Sequence, residues 1–217
     1  MANWVNNTIQ DVQFRIGKLD DVNYHPAAIL RAMNRLYQRL NRQYLCLEKT
    51  IILDSSSDYY VSAGVWGLPA DWIKPFWIDP EVDFKDPEQY NPDEDEAGTS
   101  TIVNGQLKMA NVDATASYEV WYFSTGLEFV DEDLGLGDTE INEPEWTQES
   151  LFQIILYGTC LDLSPDYPLR NKDIVEYDRL ESALAGLLYN KQDITPQITG
   201  GFGKQTERQD EYEQGIS

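Results

Sequence analysis

Residues 26–47 read PAAILRAMNRLYQRLNRQYLCL, and this stretch combines a helical hydrophobic period with a row of arginines. Its apolar residues recur every three or four positions, at Ile29, Leu30, Met33, Leu36, Tyr37, Leu40, Tyr44 and Leu47. That spacing predicts an amphipathic α-helix. The arginines recur at the same spacing on its flank, at Arg31, Arg35, Arg39 and Arg42. Pro26 after His25 favours a helix start, because the missing N–H of proline costs nothing at the first helical position.

The charge of the chain is distributed unevenly. The first 50 residues hold seven Lys and Arg against four Asp and Glu, whereas the remaining 167 hold nine against 34. The net charge of −22 argues against duplex DNA as a clasped ligand, since phosphate binding depends on clustered cations. We therefore expect the arginines to form a subunit interface, lying against the acidic part of another copy.

Three further helices are predicted from the same period. The first has Val5, Ile9, Val12, Ile16 and Leu19 on one face and ends near Gly17. The third carries Trp146, Leu151, Ile154, Ile155 and Leu161. The fourth carries Ile174, Tyr177, Leu180, Leu184, Leu187 and Leu188, after a break at residues 164–168.

The period changes to that of β-structure over residues 50–127. Asn104-Gly105 between two short apolar runs indicates a hairpin, and residues 118–123 (YEVWYF) form the clearest predicted strand. The predicted fold class is α+β, mainly an α-helical bundle of two helix pairs with an inserted small antiparallel β unit and an extended C-terminal arm. The expected boundaries are residues 1–49 for helices one and two, 50–127 for the β insertion, 128–190 for an acidic linker with helices three and four, and 191–217 for the arm.

Composition narrows the location and the chemistry. Acidic residues cluster within residues 79–96 and 128–149, and both stretches are expected to be solvated. We expect a soluble protein made in a cytoplasm, because no apolar run reaches 18 residues and no signal-peptide pattern opens the chain. Cys46 and Cys160 both lie in predicted helices and are expected to be reduced core residues.

The order of these elements resembles the head-to-tail adaptor, or head-completion, proteins of tailed bacteriophages. The resemblance rests on Asn34-Arg35-Leu36-Tyr37 in the second helix, on Leu-Pro-x-Asp at residues 68–71, and on an acidic run before the third helix. It also rests on the paired C-terminal helices and the glycine-bearing tail, and it covers nearly the whole chain.

The resemblance implies a virion structural protein without catalytic residues or cofactors. It implies a helical bundle repeated around a twelve-fold ring beneath the portal, with genomic DNA passing through the lumen and no membrane partner. The lower face would receive the tail tube or nozzle protein. The C-terminal arm would bind the portal protein through Ile194, Ile198, Phe202, Lys204, Arg208, Tyr212 and Ile216.

Other chemistries find less support in the residues. His25 is expected to be a helix cap or a surface residue and not a general base, and one His with two distant Cys cannot make a usual zinc site. Asp93-x-Asp95 opens like a calcium loop, yet Asn104 stands where a bidentate Glu is required. Residues 200–206 lack the full phosphate-loop pattern.

Two rival functions stay open. One is a tail-associated carbohydrate-binding β module, which the six Trp and thirteen Tyr suggest. The other is a hydrolase that uses a pair of acids such as Asp93 and Asp95. The preferred interpretation is a non-enzymatic adaptor.

Overall fold

The computed structural model describes residues 4–17, 24–93, 95, 97–112, 115–130 and 140–192. Four α-helices lie in this part of the chain: α1 (Trp4–Ile16), α2 (Pro26–Tyr44), α3 (Gln153–Leu163) and α4 (Arg170–Gln192). Ten strands are present there: β1 (Glu48–Leu53), β2 (Tyr60–Ser62), β3 (Val65–Gly67), β4 (Trp72–Asp79), β5 (Asp83–Phe84), β6 (Thr99–Val103), β7 (Gln106–Met109), β8 (Tyr118–Ser124), β9 (Glu128–Phe129) and β10 (Glu140–Ile141).

The strands form three sheets. A five-stranded sheet has the order β2-β3-β7-β6-β5, a three-stranded sheet the order β1-β8-β4, and β9 pairs with β10. The pairs β5–β6 and β9–β10 are parallel, whereas β2–β3, β3–β7 and β6–β7 are antiparallel.

The prediction of a mainly helical bundle with a small antiparallel insertion is therefore wrong. Among the described residues 39% are helical and 25% lie in strands, so the protein is a mixed α/β structure with substantial sheet. The sequence interpretation missed β5 because residues 79–96 look like a solvated acidic loop, yet Val82 and Phe84 within them are buried. It also missed β9 and β10, because two-residue strands carry no measurable period.

The helices were predicted correctly, with corrections at their ends. α2 stops at Tyr44 because Leu45 adopts a left-handed conformation (φ 47°) and donates its N–H to the Asn41 carbonyl. Cys46 therefore lies outside a helix, half-buried, and only Cys160 is a buried helical thiol. Trp146 likewise precedes α3.

Two compact units divide the described residues. The helical unit consists of those within 1–49, 71–74 and 123–192, and the sheet unit of those within 50–70 and 75–122. The core of the helical unit brings together the buried faces of α1, α2, α3 and α4 with Phe129 and Trp146. In the sheet unit, Trp66 and Leu107 are buried, and the Trp66 indole donates to the Asp54 carbonyl at 3.0 Å.

The predicted hairpin is confirmed. Asn104 and Gly105 both have positive φ values, 52° and 71°, and join β6 to β7 with Val103 opposite Gln106. Such a two-residue turn matches the right-handed twist of its strands. No helix in the described ranges is both long enough and apolar enough to span a bilayer.

Candidate subunit interface on helix α2

His25 caps the N-terminus of α2. The imidazole Nδ1 accepts a hydrogen bond from the backbone N–H of Ala27 at 3.3 Å, and Pro26 follows at the first helical position. This arrangement satisfies a donor that the first turn would otherwise leave without a helical partner. His25 is exposed, and the prediction of a structural cap is confirmed.

The inner face of α2 is fully packed. Its buried residues are Ile29, Ala32, Met33, Leu36, Tyr37, Leu40 and Asn41. Helix α3 approaches closely because position 158 is glycine: a Cβ there would lie 2.5 Å from Leu36 Cδ2 and 2.7 Å from Tyr177 Cε2. Such distances are far inside van der Waals contact, so only glycine permits this approach.

Hydrogen bonds fix the rotation of α2 about its axis. The Asn41 amide donates to the Thr125 carbonyl at 2.9 Å, and its oxygen accepts from the Trp146 indole at 2.7 Å. The Tyr37 hydroxyl accepts the backbone N–H of Glu145 at 3.0 Å. Burial raises the pKa of the Tyr37 phenol, so the side chain stays neutral.

An ion-pair network lies among the segments that neighbour α2 in the helical unit. Lys49 Nζ lies 2.9 Å from Asp71 Oδ2 and 2.7 Å from Glu145 Oε1. Ser124 donates its hydroxyl to Asp71 at 2.7 Å, and the Leu127 N–H donates to Glu145 at 2.9 Å. Burial opposes the charge on Lys49, but the hydrogen bonds to both carboxylates outweigh it and raise the pKa of the ammonium.

The outer flank of α2 carries the arginine stripe, which we define as Arg31, Arg35, Arg39 and Arg42. All four arginines are exposed, as the helical spacing predicted. Their positions follow directly from the orientation of the inner face, because residues three or four apart share a helix face. Gln38 and Gln43 lie beside Arg35, Arg39 and Arg42 and line the same shallow depression.

Two arginines of the stripe have weak contacts within the chain. Arg35 lies 3.6 Å from Asp162, with the two side chains 68% and 51% exposed. Arg39 donates to the Tyr177 hydroxyl at 3.4 Å, near the limit of a hydrogen bond. Exposed contacts of this kind contribute about 0–1 kcal/mol. Within the described residues, Arg31 and Arg42 form no ion pair.

The tyrosines beside the stripe are neutral under ordinary conditions. Burial, together with the nearby Glu181 carboxylate, raises the pKa of Tyr177. The same causes raise the pKa of Tyr44 to about 12, and its hydroxyl accepts from Gln43 at 2.7 Å. The phenols beside the stripe therefore carry no negative charge near neutral pH.

The other candidate residues are not part of the arginine stripe. Asp95 accepts from Lys85 Nζ through one carboxylate oxygen and from the Asn91 N–H, at 2.9 Å, through the other. Both of its oxygens are thus engaged, and the described residues contain no cluster of metal-ligating side chains. The portal-binding candidates Ile194, Ile198, Phe202, Lys204, Arg208, Tyr212 and Ile216 lie outside the described residues.

The sequence interpretation missed two features of the helical unit. It assigned no role to Lys49, whose ion pairs join residues far apart in the chain. It also missed Asp173, which is fully buried and accepts from Arg15 at 2.7 Å and from the Tyr167 hydroxyl at 3.0 Å. Neither residue stands out in the sequence, because Asp173 lies among the other charged residues of 170–179 and Lys49 directly follows Glu48.

Comparisons with known proteins do not assign a family or a function to the chain. No protein-family model matches the chain, and no curated protein matches it.

Proposed function

We propose that this protein is a non-enzymatic structural component of a tailed-phage virion. Its copies form a ring beneath the portal, twelve in number as the adaptor resemblance implies, extend the DNA channel and provide a docking surface for the tail tube or nozzle. The proposal no longer depends on a helical-bundle fold, which the structure contradicts. It depends on α2 and on its exposed charges.

The single observation that supports the proposal is the exposure of the arginine stripe on a strongly acidic chain. Acidic residues outnumber basic ones 38 to 16, and yet four arginines in a row have at most weak contacts with described residues. A packed inner face and buried hydrogen bonds fix the orientation of the helix that carries these side chains. A cationic surface on a polyanionic protein favours association with another acidic surface, and other copies of the chain supply one.

Ring formation fits this asymmetry. A closed ring uses a heterologous contact, in which one face of each copy meets a different face of its neighbour. A chain with cations on α2 and acids elsewhere has two such faces. The negative charge of the whole protein also repels phosphate, so DNA would pass through the lumen without specific binding.

The test is assembly on a purified portal protein. We expect the wild-type chain to form a ring complex, measured by native mass spectrometry or negative-stain microscopy. The double variant Arg31→Glu with Arg42→Glu should fold but fail to form the ring. The control Lys172→Glu with Arg179→Glu makes the same charge change at exposed positions of α4 and should assemble.

A second experiment addresses the arm. A chain that lacks residues 195–217 should remain folded but lose its binding to portal, because the adaptor resemblance assigns portal contact to this segment. Undiminished binding by the truncated chain would rule out the arm assignment. Failure of the wild-type chain to bind any portal would rule out the proposed function itself.

A further inference from the structure

The three-stranded sheet has one face toward solvent in the sheet unit. Along β8 the side chains alternate: Tyr118, Val120 and Tyr122 are buried, whereas Glu119 is exposed and Trp121 is partly exposed. Successive residues of a strand point to opposite faces, so Glu119 and Trp121 share the solvent face.

That face carries a stacked tryptophan pair. Trp77 on β4 and Trp121 on β8 have ring centroids 4.3 Å apart and an interplanar angle of 22°, and Trp77 is 41% exposed. Ile52 of β1 is also exposed. Exposed tryptophans of this kind are enriched at binding hot spots, where a large rigid ring meets a partner.

Two carboxylates lie next to the tryptophans on the same strands. Lys74 lies over Phe123 and Trp77 over Trp121, so β4 and β8 run antiparallel. Asp79 follows Trp77 by two residues, and Glu119 precedes Trp121 by two. In an antiparallel pair both therefore lie on the solvent face, one step along from the stacked rings, and both are exposed.

We propose that this surface, Trp77 and Trp121 with Asp79 and Glu119, binds the arginine stripe of a second copy of the chain. The inference rests on the proposed function and names the surface that the stripe contacts. Guanidinium groups stack on indole faces and form bidentate pairs with carboxylates, and arginine does both better than lysine. The indole rings and the carboxylates of this surface lie next to each other, so stacking and ion pairing can both form there.

The spacing of the two surfaces matches. Four residues of an α-helix rise about 6 Å, which is the interval between Arg31, Arg35 and Arg39. Two residues of a strand rise about 6.7 Å, which is the interval from the tryptophan pair to the carboxylate pair. One arginine can therefore stack on the indoles while the next along the helix reaches the carboxylates.

A second copy is the occupant that the charges favour. The aromatic and acidic surface needs a cationic partner, and the stripe is the cationic surface that every copy carries. The C–H face of a sugar ring could also stack on tryptophan, but a neutral sugar does not balance the charge of the two carboxylates. Because the two surfaces differ, the contact is heterologous and extends from copy to copy.

The experiment is a charge exchange between two full-length chains. The first carries Arg35→Glu and Arg39→Glu, and the second carries Asp79→Lys and Glu119→Lys. Each alone should associate at least about tenfold more weakly than wild type in sedimentation velocity at low ionic strength, because each places like charges together. An equimolar mixture should recover association, since each altered surface then meets its complement.

Trp77→Leu tests the stacking part of the contact. It should weaken association of the full chain, whereas Val61→Ser, at another exposed apolar position of the sheet unit, should not. Far-ultraviolet circular dichroism checks that the fold is retained, and the loss of the indole couplet reports that the stacked pair has been removed.

The outcomes separate the pairing from the function. Failure of the mixture to associate, or a wild-type chain that stays monomeric at low salt, overturns the pairing of these surfaces. Binding of a neutral oligosaccharide that depends on Trp77, with unchanged self-association in Trp77→Leu, also overturns it. In each case ring formation on portal remains a separate measurement, so the proposed function can stand when the pairing falls.

Discussion

Lys49 and the arginine stripe are close in sequence, but their charges have opposite surroundings. Lys49 lies within 3 Å of two carboxylates and is partly buried. Among the described residues, the ion pair of the stripe is that of Arg35 with Asp162, at 3.6 Å, and Asp162 is itself half exposed. Both sets of cations belong to the helical unit of one strongly acidic chain.

The difference shows which charges contribute to the stability of the fold. A cation removed from water needs partners inside the molecule, because desolvation costs several kcal/mol. Lys49 satisfies this need with the buried Asp71 and the partly buried Glu145, and Arg15 with the buried Asp173. An exposed arginine contributes little to folding, so its partner can belong to another molecule. Mutations and pH titrations test this distinction.

The largest expected effect comes from Lys49→Met. It removes the cation that Asp71 and Glu145 share and should lower the free energy of unfolding by about 3 kcal/mol, since an uncompensated buried charge is costly. Urea titration followed by tryptophan fluorescence measures the change. Lys172→Met, at an exposed position of α4, is the matched control and should change stability by no more than about 0.5 kcal/mol. Equal effects in the two variants would contradict the distinction.

Two glycine substitutions test how tightly the inner face of α2 is packed. Gly158→Ala should destabilise the protein by about 1–3 kcal/mol, because its Cβ would overlap Leu36 and Tyr177. Gly186→Ala meets nothing within 4 Å and should stabilise α4 by up to about 1 kcal/mol through helix propensity. Opposite shifts in the urea midpoint are expected. The same sign for both would mean that α2 and α3 have room to move.

Alkaline pH should weaken the fold gradually. Burial raises the pKa of the Cys160 thiol to about 12, and the pKa of Tyr44 is also raised to about 12. In the unfolded chain these groups ionise near pH 8.5 and pH 10 respectively, about their ordinary pKa values. The native state then holds more protons than the unfolded state, so stability falls as pH rises through this range, by up to about 1.4 kcal/mol per pH unit for the buried Cys160 thiol and by less for the partly exposed Tyr44.

Unfolding titrations at a series of pH values check this dependence. Cys160→Ala should reduce the slope between about pH 9 and 10 by up to about 1.4 kcal/mol per pH unit, which is the contribution of the thiol. The substitution also removes packing contacts, and that loss lowers the free energy of unfolding equally at every pH. The change of the free energy of unfolding with pH therefore reports on the thiol alone. A slope that the substitution leaves unchanged would show that the thiol is accessible to water.

The smallest expected effect is that of the stripe on folding. Arg31→Ala and Arg42→Ala should each change the free energy of unfolding by no more than about 0.5 kcal/mol, because these side chains form no ion pair within the described residues. Their effect should appear in assembly instead. A loss of several kcal/mol from either would assign the stripe to the fold and remove the basis of the proposed interface.

Local patterns in the sequence were sufficient for many elements. The spacing of Ile29, Met33 and Leu36 predicted the buried face of α2, and Asn104-Gly105 predicted the β6–β7 turn. Both depend on interactions between near neighbours. The exposure of the stripe followed from the same helical geometry, so the residues of the candidate site could be named in advance. The surface that we propose as its partner could not, since no period relates α2 to Trp77 or Glu119.

The balance of helix and sheet was predicted wrongly for a related reason. β5 pairs with β6 in parallel across an acidic segment, and β9 pairs with β10 across residues that contain many acids. Such pairings depend on backbone hydrogen bonds between segments that are distant in the chain. A strand of two residues is too short to show a side-chain pattern from which it could be predicted. The acidic composition argued against strands where burial of Val82 and Phe84 outweighed it.

The helices, the hairpin turn and the cationic flank of α2 can be predicted from the amino-acid sequence, because each arises from contacts between residues three or four positions apart or adjacent in a turn. Which charges are paired inside the molecule depends on the tertiary structure. Lys49 meets Asp71 and Glu145, and Arg15 meets Asp173, across long stretches of chain. Burial in a shared core selects these pairs, whereas the stripe arginines remain in water.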